Sequence, residues 1–163
     1  MIIEDSPEIY GYTIFCDDIR MEIGNKLTYV GVYLDGIVPG GPFPIVMPKL
    51  AMQVFYMQRH PNIVAPTKFI IVLPESSEDE PSFQIDFPQQ ANHQALEAVK
   101  QLTQAESEKP YFKIGFQFNI INLVLTKPGL IKVRAERDKS LIRLGSLVVH
   151  APPEIQSANP ATA

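Results

Sequence analysis

YTIFCDDIRMEIGNKLTYVGVYL, residues 12–34, decides the fold class. Two runs rich in β-branched and aromatic residues meet at Gly24-Asn25, and such runs joined by a short glycine-containing link read as a β-hairpin. Taking Gly24 and Asn25 as a two-residue loop between Ile23 and Lys26 suits a type II′ turn, which has glycine at its first central position. That register pairs Met21 with Thr28, Ile19 with Val30, Asp17 with Val32 and Phe15 with Leu34 on one face. Glu22/Leu27, Arg20/Tyr29, Asp18/Gly31 and Cys16/Tyr33 share the other. The first face is mostly apolar and is expected to meet the core, while the second is expected to be partly wet. Asp17 is the exception on the core face, where an unpaired carboxylate is costly. A β-bulge at residues 16–18 that turns it outward, or an ion pair, removes that cost. The functional alternative is a carboxylate held in a pocket beside Asp18 and Arg20.

Working outward, DGIVPGGPFPIVMP (35–48) holds three glycines and four prolines and reads as a long ordered loop. KLAMQVFYM (49–57) and TKFIIVLP (67–74) are strand material, the second suited to a buried central strand. PESSEDEP (74–81) is an acidic loop, and SFQIDF (82–87) alternates again. Residues 91–105 break the rhythm: they are rich in Ala, Gln, Glu and Leu, and Leu96, Val99 and Leu102 form a narrow apolar stripe, so a helix is expected there. Phe112, Ile114, Phe116, Phe118 and Ile120 then alternate with polar or small residues. The parity slips at Ile120-Ile121, so a bulge or bend is expected. LIKVRAER and LIRLGSLVVH follow after turns at 127–129 and 137–140, and the last three strands are expected to form a meander.

Eight strands joined by short polar turns favour an antiparallel β-sandwich with one helical insertion over a βαβ fold. Residues 1–150 are read as one domain. The proline- and alanine-rich tail 151–163 is read as disordered.

An opening YxIFCDDIRxExGxKLxYVGVY, a Pro/Gly loop ending in MPKLAM and a closing TKPGLIKVRAERDKSLIRLGSLVV carry a resemblance. The chain resembles a family of short, uncharacterised bacterial proteins (a domain of unknown function). Their features are an Asp-containing first strand, a Gly-x-Lys hairpin, a GVY or GVF second strand and a terminal Pro-Gly strand pair. The resemblance spans roughly residues 10–150, is most specific over Cys16 to Tyr33, and implies no catalytic or ligand residues. Segment 91–105 and the acidic loop are read as departures from the family's usual length.

Composition bounds function. Hydrophobic residues make up 45% and charged residues 20%, an ordinary globular balance, and no apolar run is long enough for a membrane span. With no signal-like start and a single cysteine, a cytoplasmic location is expected. A net charge of −4 argues against nucleic-acid binding by the whole surface. The basic positions Lys127, Lys132, Arg134, Arg137, Lys139 and Arg143 are read as the solvent side of strands, diluted by Glu136 and Asp138.

His60, His93 and His150 lack metal-ligand spacing, and no nucleophile elbow, Walker loop or dinucleotide motif is present, so no cofactor, no metal and no catalytic residue is assigned. Asp17 and Asp18 meeting Glu78, Asp79 or Glu80 around calcium is a weaker reading, because ESSEDE lacks EF-hand spacing. Cys16 as a nucleophile would need a histidine brought to it by the fold. Tyr29 and Tyr33, flanking Gly31 and expected beside Asp18 and Arg20, suit a surface that meets a sugar, a peptide strand or a second copy. The residues that carry the functional expectation are therefore Asp17, Asp18, Arg20, Tyr29 and Tyr33. The leading expectation is a noncatalytic module that works through a protein partner or by self-association. The alternatives are a small-ligand-binding or hydrolytic domain built on Asp17 and Asp18, and a virion or tail component.

Overall fold

The computed structural model describes residues 8–59, 66–87, 111–137 and 139–153. The expected helix over 91–105 and the tail from 154 on lie outside the described residues. Within them the chain is all β, with eight strands: β1 Ile9–Glu22, β2 Lys26–Val32, β3 Ile45–Arg59, β4 Lys68–Val72, β5 Phe83–Asp86, β6 Tyr111–Leu125, β7 Gly129–Arg137 and β8 Ser140–Val149. They form two four-stranded antiparallel sheets, ordered β2-β1-β3-β6 and β5-β4-β7-β8.

Alternation sets the core. Leu50, Met52, Val54 and Tyr56 of β3 face Phe69 and Ile71 of β4 and Ile131, Val133 and Ala135 of β7 in one buried cluster. Rings cross between the sheets: Phe69 lies 4.5 Å from Phe116 and 6.5 Å edge-on from Tyr56, and Phe83 lies 5.5 Å from Phe118. Each such pair adds about 0.5–1.5 kcal/mol beyond the area it buries.

Several expectations need correction. The Lys127-Pro128-Gly129 turn crosses from one sheet to the other, so β7 and β8 form a hairpin but β6 does not join them in a meander. β3 starts at Ile45, inside the Pro/Gly segment. Pro48 is tolerated there because β3 pairs with β1 only from Ala51 on, so the missing amide leaves no gap in that ladder. Opposite Pro48 stands Asn122, at φ 52°. The side chains change sides at this point on both strands without any change in register: Leu50 and Ile120 are buried before it, Met47 and Leu123 after it. The parity slip near Ile120-Ile121 is therefore a left-handed residue, which asparagine adopts more readily than most.

A true register shift occurs between Val133 and Arg134, where β8 carries the extra residue, so that Leu144 and Leu147 both point inward around Gly145.

β1 has two different neighbours along its length. β2 pairs with it only from Cys16 onward, and its first half lies against β8 on that open side. Gly11 permits this approach, since a Cβ there would collide with the Phe55 carbonyl oxygen and the Leu144 side chain. Thr13 Oγ1 donates to the Leu144 carbonyl at 3.0 Å. Gly11→Ala is expected to lower stability by about 1–3 kcal/mol. Gly40→Ala, with nothing within 4 Å of the new methyl group, is expected to change it by less than about 1 kcal/mol. Urea unfolding of the two variants checks this.

Candidate functional site

The hairpin closes on Glu22 and Lys26, one residue away from the expected register, around the three-residue loop Ile23-Gly24-Asn25. Gly24 and Asn25 both have positive φ, 83° and 59°, whereas a type II′ turn needs only the glycine there. Because side chains alternate, a slip of one residue turns all of β2 over relative to β1. Cys16 now faces Val32, Asp18 faces Val30 and Arg20 faces Thr28, while Ile19 faces Tyr29 and Met21 faces Leu27.

The five expected residues therefore divide between two faces. Asp17, Tyr29 and Tyr33 share one. Asp18 and Arg20 share the other, next to Lys49 of β3.

On the first face no bulge is needed to relieve Asp17. The register runs unbroken through it, and it stands opposite Gly31, whose φ of 65° and missing Cβ leave room for the carboxylate. Asp17 is exposed, and its Oδ1 accepts a hydrogen bond from Tyr33 Oη at 2.5 Å. Burial first, and then the Asp17 carboxylate, push the Tyr33 phenol well above its ordinary range, so Tyr33 stays a neutral donor. Burial likewise raises Tyr29. Asp17 and Tyr33 form one wall of an open cleft of about 500 Å³, with Ile37, Val38, Met47 and Pro48 of the Pro/Gly segment opposite.

On the second face Asp18 Oδ1 accepts from the Lys49 ammonium and Oδ2 from Arg20 Nε at 3.2 Å. Lys49 first, and then Arg20, hold the Asp18 carboxyl below its ordinary range.

Cys16 is fully buried, and burial pushes its thiol up, which is the opposite of what a nucleophile needs. Its Sγ donates to the Asp18 and Ala51 carbonyls at 3.4 and 3.7 Å.

The acidic loop is not brought to Asp17 or Asp18. It folds back over the outer face of the second sheet, where Glu78 meets Arg134 at 3.0 Å and Lys132 at 3.9 Å. Arg134, expected on a solvated strand face, is only 7% exposed. The signal that points to this is the sequence's one dense acidic run matched by alternating cations on a later strand, a long-range pairing that strand periodicity alone does not reveal. Among the described residues no group of three or more His, Cys, Asp or Glu side chains is placed to hold a metal ion, and no helix is long and apolar enough to cross a membrane. No family model, curated protein or solved structure matches the chain.

From Asp17 through Val32 no residue of the hairpin is buried on either face. Apolar side chains stand in solvent on both: Met21 and the fully exposed Ile23 at the tip, Val30 and Val32 beside Asp18, and Leu34 just beyond. β2 is also the edge of its sheet.

The Asp18 cluster makes a pH prediction. The folded carboxyl holds its proton less tightly than the unfolded one. Its contribution to stability is thus complete above the ordinary value of 3.8 and is lost as pH falls through the lower folded value. Asp18→Asn is expected to be less stable than wild type at pH 7, with the gap closing below pH 3.8, as read by urea unfolding across that range.

Proposed function

We propose that the chain is a noncatalytic β-sandwich module that works through protein contact, most simply with a second copy of itself, using the β2 edge and the exposed hairpin. The observation that carries this reading is the hairpin beyond Cys16, with apolar side chains in solvent on both faces and an open strand edge. Such an edge is a template for pairing, and contiguous exposed apolar surface marks contact sites. The ion pairs of Asp18 with Lys49 and Arg20 stiffen the strand that presents it. Tyr29 and Tyr33 serve this reading from the opposite face, as cover for the hairpin and as the partner of Asp17.

A second reading, a small-ligand site, is supported by the cleft between Asp17–Tyr33 and the Pro/Gly segment. In that reading Asp17 acts alone, because Asp18 faces the opposite side of the sheet and is engaged by Lys49 and Arg20.

Sedimentation equilibrium separates the two. The wild type is expected to associate, and Val30→Lys/Val32→Lys is expected to weaken association about tenfold or more while far-UV circular dichroism stays the same. A wild type that remains monomeric at every concentration overturns the contact reading in its self-association form and favours the cleft.

A further inference from the structure

The outer face of the second sheet holds a cluster of cations that the hairpin does not use. In the β7–β8 ladder Arg134 stands directly opposite Arg143, and two residues along the same face Lys132 stands opposite Ser146. Like charges directly opposite one another in an antiparallel pair are destabilising unless an anion lies between them. One carboxylate, Glu78, serves the group: it engages Arg134 Nε at 3.0 Å and lies 3.9 Å from Lys132 Nζ. Arg143 is exposed and has no carboxylate partner among the described residues.

The buried guanidinium is fixed in place. Arg134 Nη1 donates to the Val133 carbonyl at 2.9 Å and to the Gly145 carbonyl at 3.1 Å, and Nε is held by Glu78. The bulge on β8 helps supply this geometry, because the register shift falls at Arg134 and the Gly145 carbonyl beside it is an acceptor. Among the described residues Nη2 has no hydrogen-bond partner. These side chains line an open cleft of about 420 Å³, with Leu130 on its apolar side.

We propose that this cleft is a binding site for a phosphate group, either the free ion or a small-molecule monoester. Three cations against one carboxylate leave the cleft positive on a chain whose net charge is −4. A pre-positioned guanidinium with an unused N–H edge, a second guanidinium across the ladder, an ammonium and a hydroxyl donor match the oxygens of a tetrahedral dianion. Leu130 offers the surface on which the organic part of a monoester would lie. Binding there places the negative charge between Arg134 and Arg143, where the cross-strand pair lacks it.

Isothermal titration of the full chain with inorganic phosphate, at ionic strength matched with sodium chloride, tests the site. Saturable binding is expected in the wild type. Arg143→Ala and Lys132→Ala, both at exposed or half-exposed positions, are each expected to weaken it roughly tenfold or more. Lys113→Ala, an exposed lysine of β6 on the other sheet, is expected to leave it unchanged. Titration with phenyl phosphate distinguishes the sources: equal affinity assigns the site to the free ion, and tighter binding that Leu130→Ser removes assigns it to a monoester. No saturable binding of either probe to the wild type overturns the proposal, as does an Arg143→Ala variant that binds as the wild type does.

Discussion

The structure rests on β1 changing neighbours halfway along its length. Its backbone groups from Cys16 onward are met by β2, and the Phe15 carbonyl accepts from the Tyr33 amide just beyond it, but residues 9–14 have no strand on that side within their own sheet. That half is only partly buried before Phe15, and an amide or carbonyl left unmet away from water costs what a lost hydrogen bond costs. β8, the end strand of the other sheet, lies against that half, and the Thr13 hydroxyl ties the two by donating to the Leu144 carbonyl. Two glycines make the approach possible: Gly11 removes a clash with Leu144, and Gly145 removes one with Thr13. The two sheets thus close on one another along this side, and the second half of β1 has to leave the core. The exposed hairpin is the counterpart of that closure.

Much of the fold is legible in the sequence because alternation is strong where a single face is buried. β4 reads as a continuous apolar run because it is buried on both faces: Phe69 and Ile71 by the core, and Ile70 and Val72 on the outer side, where Glu78 of the acidic loop crosses to β7. β6 shows the alternation and also the place where it breaks. What alternation cannot say is how a break is made. At Asn122 the strand changes face through one left-handed residue, and the register with β3 survives. In β8 the inserted residue hides in LIRLGSLVV, where apolar residues on both faces mask the bulge at Leu144-Gly145. The assignment of strands to sheets is not legible either, since a Pro-Gly turn reads the same whether it closes a hairpin or crosses between sheets.

How the candidate residues group was not legible in the sequence, and the cause is a single loop residue. Reading Gly24-Asn25 as the whole loop puts Tyr29 and Tyr33 beside Asp18 and Arg20; including Ile23 puts Tyr33 on Asp17 instead. Both loops suit a hairpin with glycine and asparagine at the tip, and only the closing pair decides between them. Asp17 shows the same limit. Parity puts it on the same side of β1 as the buried Phe15, yet it stands in solvent. Relief comes from Gly31 across the ladder and from solvent, neither of which is visible without the true register. The pairing of Glu78 with Arg134 joins segments 56 residues apart and follows from packing alone.

The closure of β1 on β8 leaves β2 as an open edge, which in the proposed function is filled by contact with another chain. Hydrogen exchange of the Lys26–Val32 amides at two protein concentrations tests this most directly. Amides pointing away from β1 are expected to exchange freely in dilute solution and to become protected when the protein is concentrated, while those bonded to β1 are protected in both. Free exchange of the outward amides at both concentrations would contradict it, because the edge would then stay open whatever the concentration.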